Sequence, residues 1–348
     1  MKPESNNLQV VKAELLWSRS CPLKCSYCNM VDGRKNTPTL EQWEKGIDQL
    51  KKLDCSLVAI YGAEPMEDFD KLPEVIQYAE SIGINTTVIT SGVTAHLKEK
   101  LQTLYKHGLR SITTSFDAVS LDTSSANKSA KALEVIDIFR SFGPVRDSAV
   151  VVTLTKHNYL LLPDVIRSMS AKNIWTFFDL IHPDRGQAGS KVKTSDTSLL
   201  FDQVDYPSLI SILKIAEHMK NQGFLVHTSK VFFETMKIVA GFASVWDKGT
   251  PFNKIDMYKL WNCAVPNCFP SWVTVDCDGS VYPCDDFQPK DITDIKVWEI
   301  ADRWHEFSTV WKSYTSKKCP GCLWGTHIDA HLIKEGKLPL TDYIHGLK

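Results

Sequence analysis

The sequence lacks what a membrane protein needs. No apolar run approaches the ~18 residues required to cross a bilayer, and the longest candidate, Ile238 to Trp246, falls far short. The opening residues Met1-Lys2-Pro3-Glu4-Ser5-Asn6-Asn7 carry no apolar stretch of the kind a secretory signal requires, so the expectation is a soluble, cytoplasmic protein. Excess charge of one sign is also missing. Forty Lys and Arg against 41 Asp and Glu leave a net charge of −1, which argues against a broad basic footprint for nucleic acid, although a local patch is still allowed. There is no internal repeat and no low-complexity tract. What remains is ordinary globular composition over 348 residues, 43% hydrophobic and 23% charged. That length suits a single barrel with a small appendage as well as two equal domains.

Cysteine, in contrast, is plentiful. Of the ten cysteines, Cys21, Cys25 and Cys28 form one group, and Cys263, Cys268, Cys277, Cys284, Cys319 and Cys322 form another; Cys55 stands apart. A reducing cytosol disfavours disulfides. Clustered cysteines in such a chain point to metal.

Between Lys12 and Ser229 short β-rich runs alternate with helical patterns. Strands are expected at Ala13–Trp17, Leu57–Tyr61, Thr86–Thr90, Ser111–Phe116, Ala149–Thr155 and Trp175–Ile181. Helices are expected at Leu40–Leu53, Pro73–Ser81, Leu97–His107, Lys128–Phe142, Leu161–Ala171 and Ser208–Asn221. Leu97, Leu101 and Leu104 share one helical face, and Gly83, Gly108, Gly143 and Gly223 each follow a helical run as stop signals. Strands alternating with helices imply a parallel sheet with right-handed crossovers. Six such units make an α/β fold of partial (β/α)6 TIM-like barrel type, with its site at the C-terminal ends of the strands. The polar segment Gln187–Tyr206 reads as a long loop over the barrel mouth. The rhythm changes near Lys230, which places a domain boundary there: residues 1–229 for the barrel and 230–348 for a small Cys-rich domain. In the second part a helix is expected over Val231–Ser244. A hairpin of Trp272–Asp276 and Ser280–Cys284 is expected around Asp278-Gly279, and a helix near Val297–Trp311.

Cys21-Pro22-Leu23-Lys24-Cys25-Ser26-Tyr27-Cys28 directly follows the first expected strand, so it falls on the first loop at the barrel mouth. Three thiolates this close can hold one [4Fe–4S] cluster and leave its fourth iron without a protein ligand. A structural zinc site is the competing reading, but zinc usually takes four ligands in paired C-x2–4-C elements. The C-x3-C-x2-C run, with aromatic Tyr27 before its last cysteine, resembles the radical SAM superfamily. The resemblance implies that Cys21, Cys25 and Cys28 hold the cluster, that S-adenosylmethionine (SAM) chelates the open iron, and that Tyr27 packs near the adenine. It also implies reductive cleavage of SAM to a 5′-deoxyadenosyl radical, which abstracts hydrogen from substrate, and a reductant such as flavodoxin or ferredoxin.

Tyr61-Gly62-Ala63-Glu64-Pro65 ends the second strand where the family carries Gly-Gly-Glu-Pro. By that resemblance Gly62, Ala63 and Glu64 contact the amino group of SAM, with Ala63 a mild departure. Glu64 has the chemistry for a charge-assisted hydrogen bond to an ammonium group. Thr90-Ser91-Gly92 and Ser115-Phe116-Asp117 end the third and fourth strands where relatives often have Thr-Asn-Gly and Ser-x-Asp, which makes Ser91 and Ser115 cofactor candidates. Asp117 is then open to face SAM or substrate, or to serve only as a loop cap. The family's frequent Arg-Gly pair is missing; Asn127 and Lys128 lie in that region, and the SAM carboxylate has no assigned partner.

Cys268-x10-Gly279-x4-Cys284 followed by Cys319-x2-Cys322 resembles the twitch domain, the shortened form of the SPASM domain. It implies one auxiliary [4Fe–4S] cluster on Cys268, Cys284, Cys319 and Cys322, with Cys263 as alternate ligand. Four thiolates also suit zinc. Cys55 and Cys277 are expected to be unligated. His182, Asp184 and Arg185 follow the last barrel strand, and Arg19 and Lys156 also sit near strand ends. His327 and His331 could share a helix face, and Trp246, Trp261, Trp272 and Trp324 are expected to pack around the auxiliary domain.

The resemblance leaves the substrate open. Only twenty residues precede Cys21, with no room for an N-terminal peptide-recognition domain, which favours a small polar substrate of sugar, aminocyclitol or nucleoside type. A peptide maturase is the alternative. An iron–sulfur electron carrier or zinc-stabilised scaffold is the non-enzyme reading, but a carrier has no use for an open iron.

Overall fold

The computed structural model describes residues 10–117, 123–183, 193–194, 197–230, 232–234, 236–237, 240, 271–282, 294–318, 325–334 and 336–339. Six parallel strands form its frame: β1 (Lys12–Ser18), β2 (Leu57–Gly62), β3 (Asn85–Thr90), β4 (Ser111–Ser115), β5 (Asp147–Leu154) and β6 (Trp175–Leu180). They pair in chain order and in parallel, from Lys12↔Leu57 to Leu154↔Leu180, with one register shift between Leu16 and Ser18 where β1 meets the end of β2. Every residue of β1 is buried, as expected for a strand covered on both faces.

The helices α1 (Leu40–Lys52), α2 (Leu72–Ser81), α3 (Leu97–Lys106), α4 (Thr123–Ser141), α5 (Leu162–Ala171) and α6 (Tyr206–Asn221) fill the crossovers and follow the last strand. Thr39 starts α1 with a full capping box: its hydroxyl accepts from Gln42 N–H while the Gln42 side chain accepts from Thr39 N–H. Leu101 and Leu104 are buried, and Leu97 packs against the same core. The helix expected from Lys128 begins at Thr123 instead. It opens Thr-Ser-Ser-Ala-Asn, and the low helix propensity of its Thr, Ser and Asn hides the start in the sequence. The polar loop after β6 contains a two-residue pair, β7 (His182–Pro183) with β8 (Lys193–Thr194).

The hairpin is present, as β9 (Trp272–Val275) and β10 (Val281–Tyr282). It does more than expected. β9 pairs in parallel with β1, from Lys12↔Trp272 to Leu15↔Val275, so the hairpin extends the barrel sheet, whose order is β10-β9-β1-β2-β3-β4-β5-β6. Val273, Val275, Val281, Ile295, Val297 and Ile300 belong to the same buried core as the barrel strands. Gly279 at the turn has φ +81°, and a Cβ there would lie 2.4 Å from the Trp298 ring. Gly46 of α1 likewise lies against Val297.

These two contacts explain a second difference. The helix expected over Val297–Trp311 is a 3-10 turn, Val297–Glu299, followed by α7 (Trp304–Lys318), because consecutive side chains are committed to different neighbours. The helix expected over Val231–Ser244 lies mostly outside the described residues. The last helix is α8 (Gly325–Lys334). Among the described residues no helix is long and apolar enough to cross a membrane.

Candidate active site

The C-terminal ends of β1 to β4 surround the mouth of a cavity of about 300 Å³ that continues into the barrel. Cys21, Cys25 and Cys28 all line it, half-buried and unbonded to one another. The loop that carries them leaves β1 and folds back on itself: Arg19 N–H donates to Arg34 O at 3.0 Å, and Asp32 and Gly33 N–H both donate to Arg19 O at 3.1 Å. Burial pushes the Cys21 thiol up to about 12. It also raises Cys28, against the pull of a Met30 backbone hydrogen bond and of the Lys128 and Arg19 charges. Metal-free, these groups are therefore thiols at neutral pH, and a metal must displace their protons. No group of His, Cys, Asp or Glu among the described residues is arranged to hold a single metal ion. Three cysteines spread around one cavity suit a polynuclear group, in which each sulfur takes a different iron, better than one zinc with sulfurs about 3.8 Å apart, as its ~2.3 Å bonds and tetrahedral geometry dictate.

The wall facing the loop is backbone. Gly62 ends β2 at φ +145°, and a Cβ there would meet Ser18 O at 2.3 Å. Ala63 N–H donates to Ser18 O at 2.8 Å and Glu64 N–H to Ser20 O at 3.0 Å, lacing the end of β2 to the base of the cysteine loop. Gly62 and Ala63 line the cavity. Glu64, unlike Gly62 and Ala63, does not line the cavity. Its side chain is fully buried behind that wall and accepts from Thr90 Oγ1 at 2.7 Å, Ser91 N at 2.9 Å, Ser91 Oγ at 2.5 Å and Met66 N at 3.3 Å. Burial raises the Glu64 carboxyl and these donors oppose the rise. What Glu64 does is hold Thr90 and Ser91, which do reach the cavity. Both of its carboxylate oxygens already accept hydrogen bonds.

Tyr27 lines the cavity, and its hydroxyl donates to Asp117 Oδ2 at 2.6 Å. Lys128 reaches the same carboxylate oxygen at 2.8 Å, contacts the Tyr27 hydroxyl, and sits 4.8 Å from the centre of the Tyr27 ring. Burial and the Asp117 charge raise the Tyr27 phenol. Ser115 lines the cavity with Tyr27 and Lys128, while Asp117, which does not, anchors Tyr27 and Lys128. Lys128 thus enters the site from a region that the sequence marked only by a missing motif.

Deeper in the barrel the sequence reading missed several residues. Lys12 and Glu14 form a buried 3.1 Å ion pair facing the cavity, with Lys12 4.3 Å from the Trp272 ring centre. Asp147, Asp179 and His227 also line it, and burial lifts the Asp147 carboxyl to about 6. Charged residues at alternate positions 12 and 14 of an otherwise apolar strand were the available signal. Trp272, expected to pack around the auxiliary domain, is buried with Ala330 and Ile333 of α8 and also with Val11 of the barrel, with Lys12 over its ring. Arg19 is buried against Asp276, whereas Lys156 pairs with Asp202 towards the surface. Cys55 and Cys277 are buried.

Cys263, Cys268, Cys284, Cys319 and Cys322 lie outside the described residues, as do Asp184, Arg185, Trp246, Trp261, Trp324 and the side chains of His182, His327 and His331.

Residues 15–168 match the family model of the radical SAM superfamily. The fold is similar to that of Streptococcus suis SuiB, solved bound to precursor peptide SuiA, at 17% identity over 93% of this chain and 73% of SuiB with a TM-score of 0.61. The same protein bound to S-adenosylmethionine gives a TM-score of 0.60 at 17% identity, over 97% of this chain and 76% of SuiB. anSMEcpe with bound AdoMet and Cp18Cys peptide is similar at 15% identity over 96% of each chain, with a TM-score of 0.56. At these identities the likeness is one of fold.

Proposed function

We propose that this chain, whose residues 15–168 match the radical SAM family model, binds a [4Fe–4S] cluster on Cys21, Cys25 and Cys28 and cleaves SAM reductively to act on a peptide substrate. Held by these cysteines and reduced by a one-electron donor, a cluster would supply the electron for cleavage of the SAM sulfonium bond to methionine and a hydrogen-abstracting 5′-deoxyadenosyl radical. The observation that carries the reading is the meeting of three unbonded cysteines with the Gly62–Ala63 backbone wall in one cavity.

The chain's own residues divide the remaining work. Gly62, where only a residue without a Cβ fits against Ser18, lets β2 close on β1 and so fixes the backbone wall that Gly62 and Ala63 present to the cavity. Glu64 fixes Ser91, so that the C-terminal end of β3 is rigid where it meets the cofactor. Lys128, oriented by Asp117, presents a cation to the carboxylate of SAM, with Ser115 beside it.

Cys268, Cys284, Cys319 and Cys322, with Cys263 as alternate, remain our proposed ligands for an auxiliary cluster. Cys268 lies four residues before Trp272 and Cys284 two after Tyr282, so both flank the open end of the hairpin in sequence.

A peptide substrate is supported by the fold's likeness to proteins solved with peptides bound. anSMEcpe, matched over 96% of its length, has been solved with one, so a fold of this extent can accept a peptide and the short leader before Cys21 does not argue against it. A small polar molecule of sugar, aminocyclitol or nucleoside type is the second reading. The charged inner wall of Lys12, Glu14, Asp147 and Asp179 favours it. Anaerobic reconstitution, iron counting and assay for 5′-deoxyadenosine test the first claim. No 5′-deoxyadenosine from reduced, iron-loaded protein would overturn it. Deuterium transfer from labelled peptide or labelled small substrate into 5′-deoxyadenosine separates the two substrates.

A further inference from the structure

The three-cysteine loop is closed from outside itself. Arg19 stands two residues before Cys21, and its side chain is only 2% exposed. Its guanidinium makes two bonds to Asp276 on the hairpin turn, Nε to Oδ1 at 2.9 Å and Nη2 to Oδ2 at 3.1 Å, across 257 residues of sequence. Arg34, at the far end of the same loop, reaches Asp276 Oδ2 at 3.1 Å through Nη1. One buried carboxylate therefore grips both ends of the loop. A second seam runs beside it, where Thr37 N–H donates to Cys277 O at 3.1 Å. The turn that presents Asp276 is itself held: Asp276 N–H donates to Ser280 O at 2.9 Å, Cys277 N–H donates to Asp276 Oδ1 at 2.8 Å, and Trp298 covers Gly279.

A bidentate fork between an arginine and a carboxylate fixes distance and direction together, which a single contact does not. Removing the carboxylate leaves two guanidiniums repelling each other, one of them buried without its counter-charge. The hairpin in turn is seated on the edge of β1, the strand from which the loop emerges. The loop's shape thus depends on the docking of a segment more than 200 residues downstream.

We propose that Arg19 and Asp276 form a joint through which the hairpin holds the Cys21–Cys28 loop in ligating shape, with Arg19 and Asp276 as positioning residues. The docking of the C-terminal hairpin is then coupled to the order of the loop that receives the cluster. The statement about ligation rests on the cluster reading above; the statement about loop order stands without it.

The test uses the full chain. Hydrogen–deuterium exchange over residues 19–37 is compared between metal-free wild type and Asp276→Asn. Both are then reconstituted anaerobically with iron and sulfide, reduced with dithionite, and examined by electron paramagnetic resonance with and without SAM. The expected result is at least tenfold faster exchange over 19–37 in Asp276→Asn, unchanged exchange in α5 and α6, and loss of the SAM-dependent change in the signal that wild type displays. A folded Asp276→Asn with wild-type exchange and a wild-type response to SAM overturns the joint. If Asp276→Asn does not fold, Arg19→Lys decides, because it keeps the buried positive charge and removes the bidentate fork to Asp276. About threefold faster exchange over 19–37 supports the joint, and none overturns it. If wild type itself shows no SAM-dependent signal, the cluster reading fails, and the exchange comparison still judges the joint.

Discussion

The hydroxyl of Tyr27 donates a 2.6 Å hydrogen bond to Asp117, ninety residues away, and so pins the cysteine loop to the end of β4. The same carboxylate oxygen takes the Lys128 ammonium at 2.8 Å, and Asp117 is 1% exposed. A phenol, an ammonium and a carboxylate are thus buried together, and each relieves the desolvation of the others. Four predictions follow from this arrangement and from the walls around it.

Asp117→Asn leaves Lys128 buried without its counter-charge and is expected to destabilise the fold by about 3–5 kcal/mol. Tyr27→Phe removes one hydrogen bond, and its cost is expected near ~1 kcal/mol. Urea denaturation of the two variants checks the order. Equal and small losses would mean that the carboxylate does not organise the trio.

Gly62→Ala places a methyl group 2.3 Å from Ser18 O in a backbone conformation that side chains rarely adopt. The expected loss exceeds ~3 kcal/mol, because both atoms involved are backbone and neither strand can move freely. Ala63→Gly restores the family's pair and is expected to change stability by less than about 1 kcal/mol. Thermal denaturation distinguishes them, and an Ala at 62 that folds as well as wild type would contradict the close approach of β1 and β2.

Asp147 provides a pH dependence. Burial raises its carboxyl from the ordinary 3.8 to about 6, so the folded state binds its proton more tightly than the unfolded state does. Its contribution is most favourable below about pH 4 and is lost as pH rises towards 6, amounting to at most about 3 kcal/mol and less for a side chain that is not fully buried. Asp147→Asn should abolish this part of the slope and be relatively more stable at pH 7. Urea midpoints for both proteins from pH 4 to 7 provide the check; parallel curves would reject it.

The cysteines should separate by position. Cys21→Ser, Cys25→Ser and Cys28→Ser are each expected to abolish SAM cleavage and to lower the iron bound per chain. Cys55 is buried and donates to Leu57 O at 3.3 Å, far from any such role. Cys55→Ser should leave iron and 5′-deoxyadenosine formation unchanged and cost about 1–2 kcal/mol of stability. Iron analysis and product assay on the four variants decide, and a Cys55→Ser protein without iron would require a different ligand set.

The barrel was legible because its signals are local. Thr39 and Gln42 stand three residues apart, and the apolar runs of β1 and β2 are each complete within seven residues. The cysteine loop was legible for the same reason. Lys128 was not: it lies 101 residues from Tyr27, and only the packing of α4 against β4 brings the two together. Glu64 was read as an acceptor for an ammonium group; its hydrogen bonds to Thr90 and Ser91 were not legible, because a sequence does not say which way a carboxylate turns.

What the sequence alone determined is the βα alternation and the spacing of Cys21, Cys25 and Cys28, since periodicity and a short loop are properties of neighbouring residues. What only the tertiary structure decided is that Trp272–Val275 lies against Lys12–Leu15, and hence that Asp276 meets Arg19. Parallel pairing leaves no mark in either strand of which partner it will find, because any apolar edge of the right length can accept it; the choice is made by the shared core that the pairing completes.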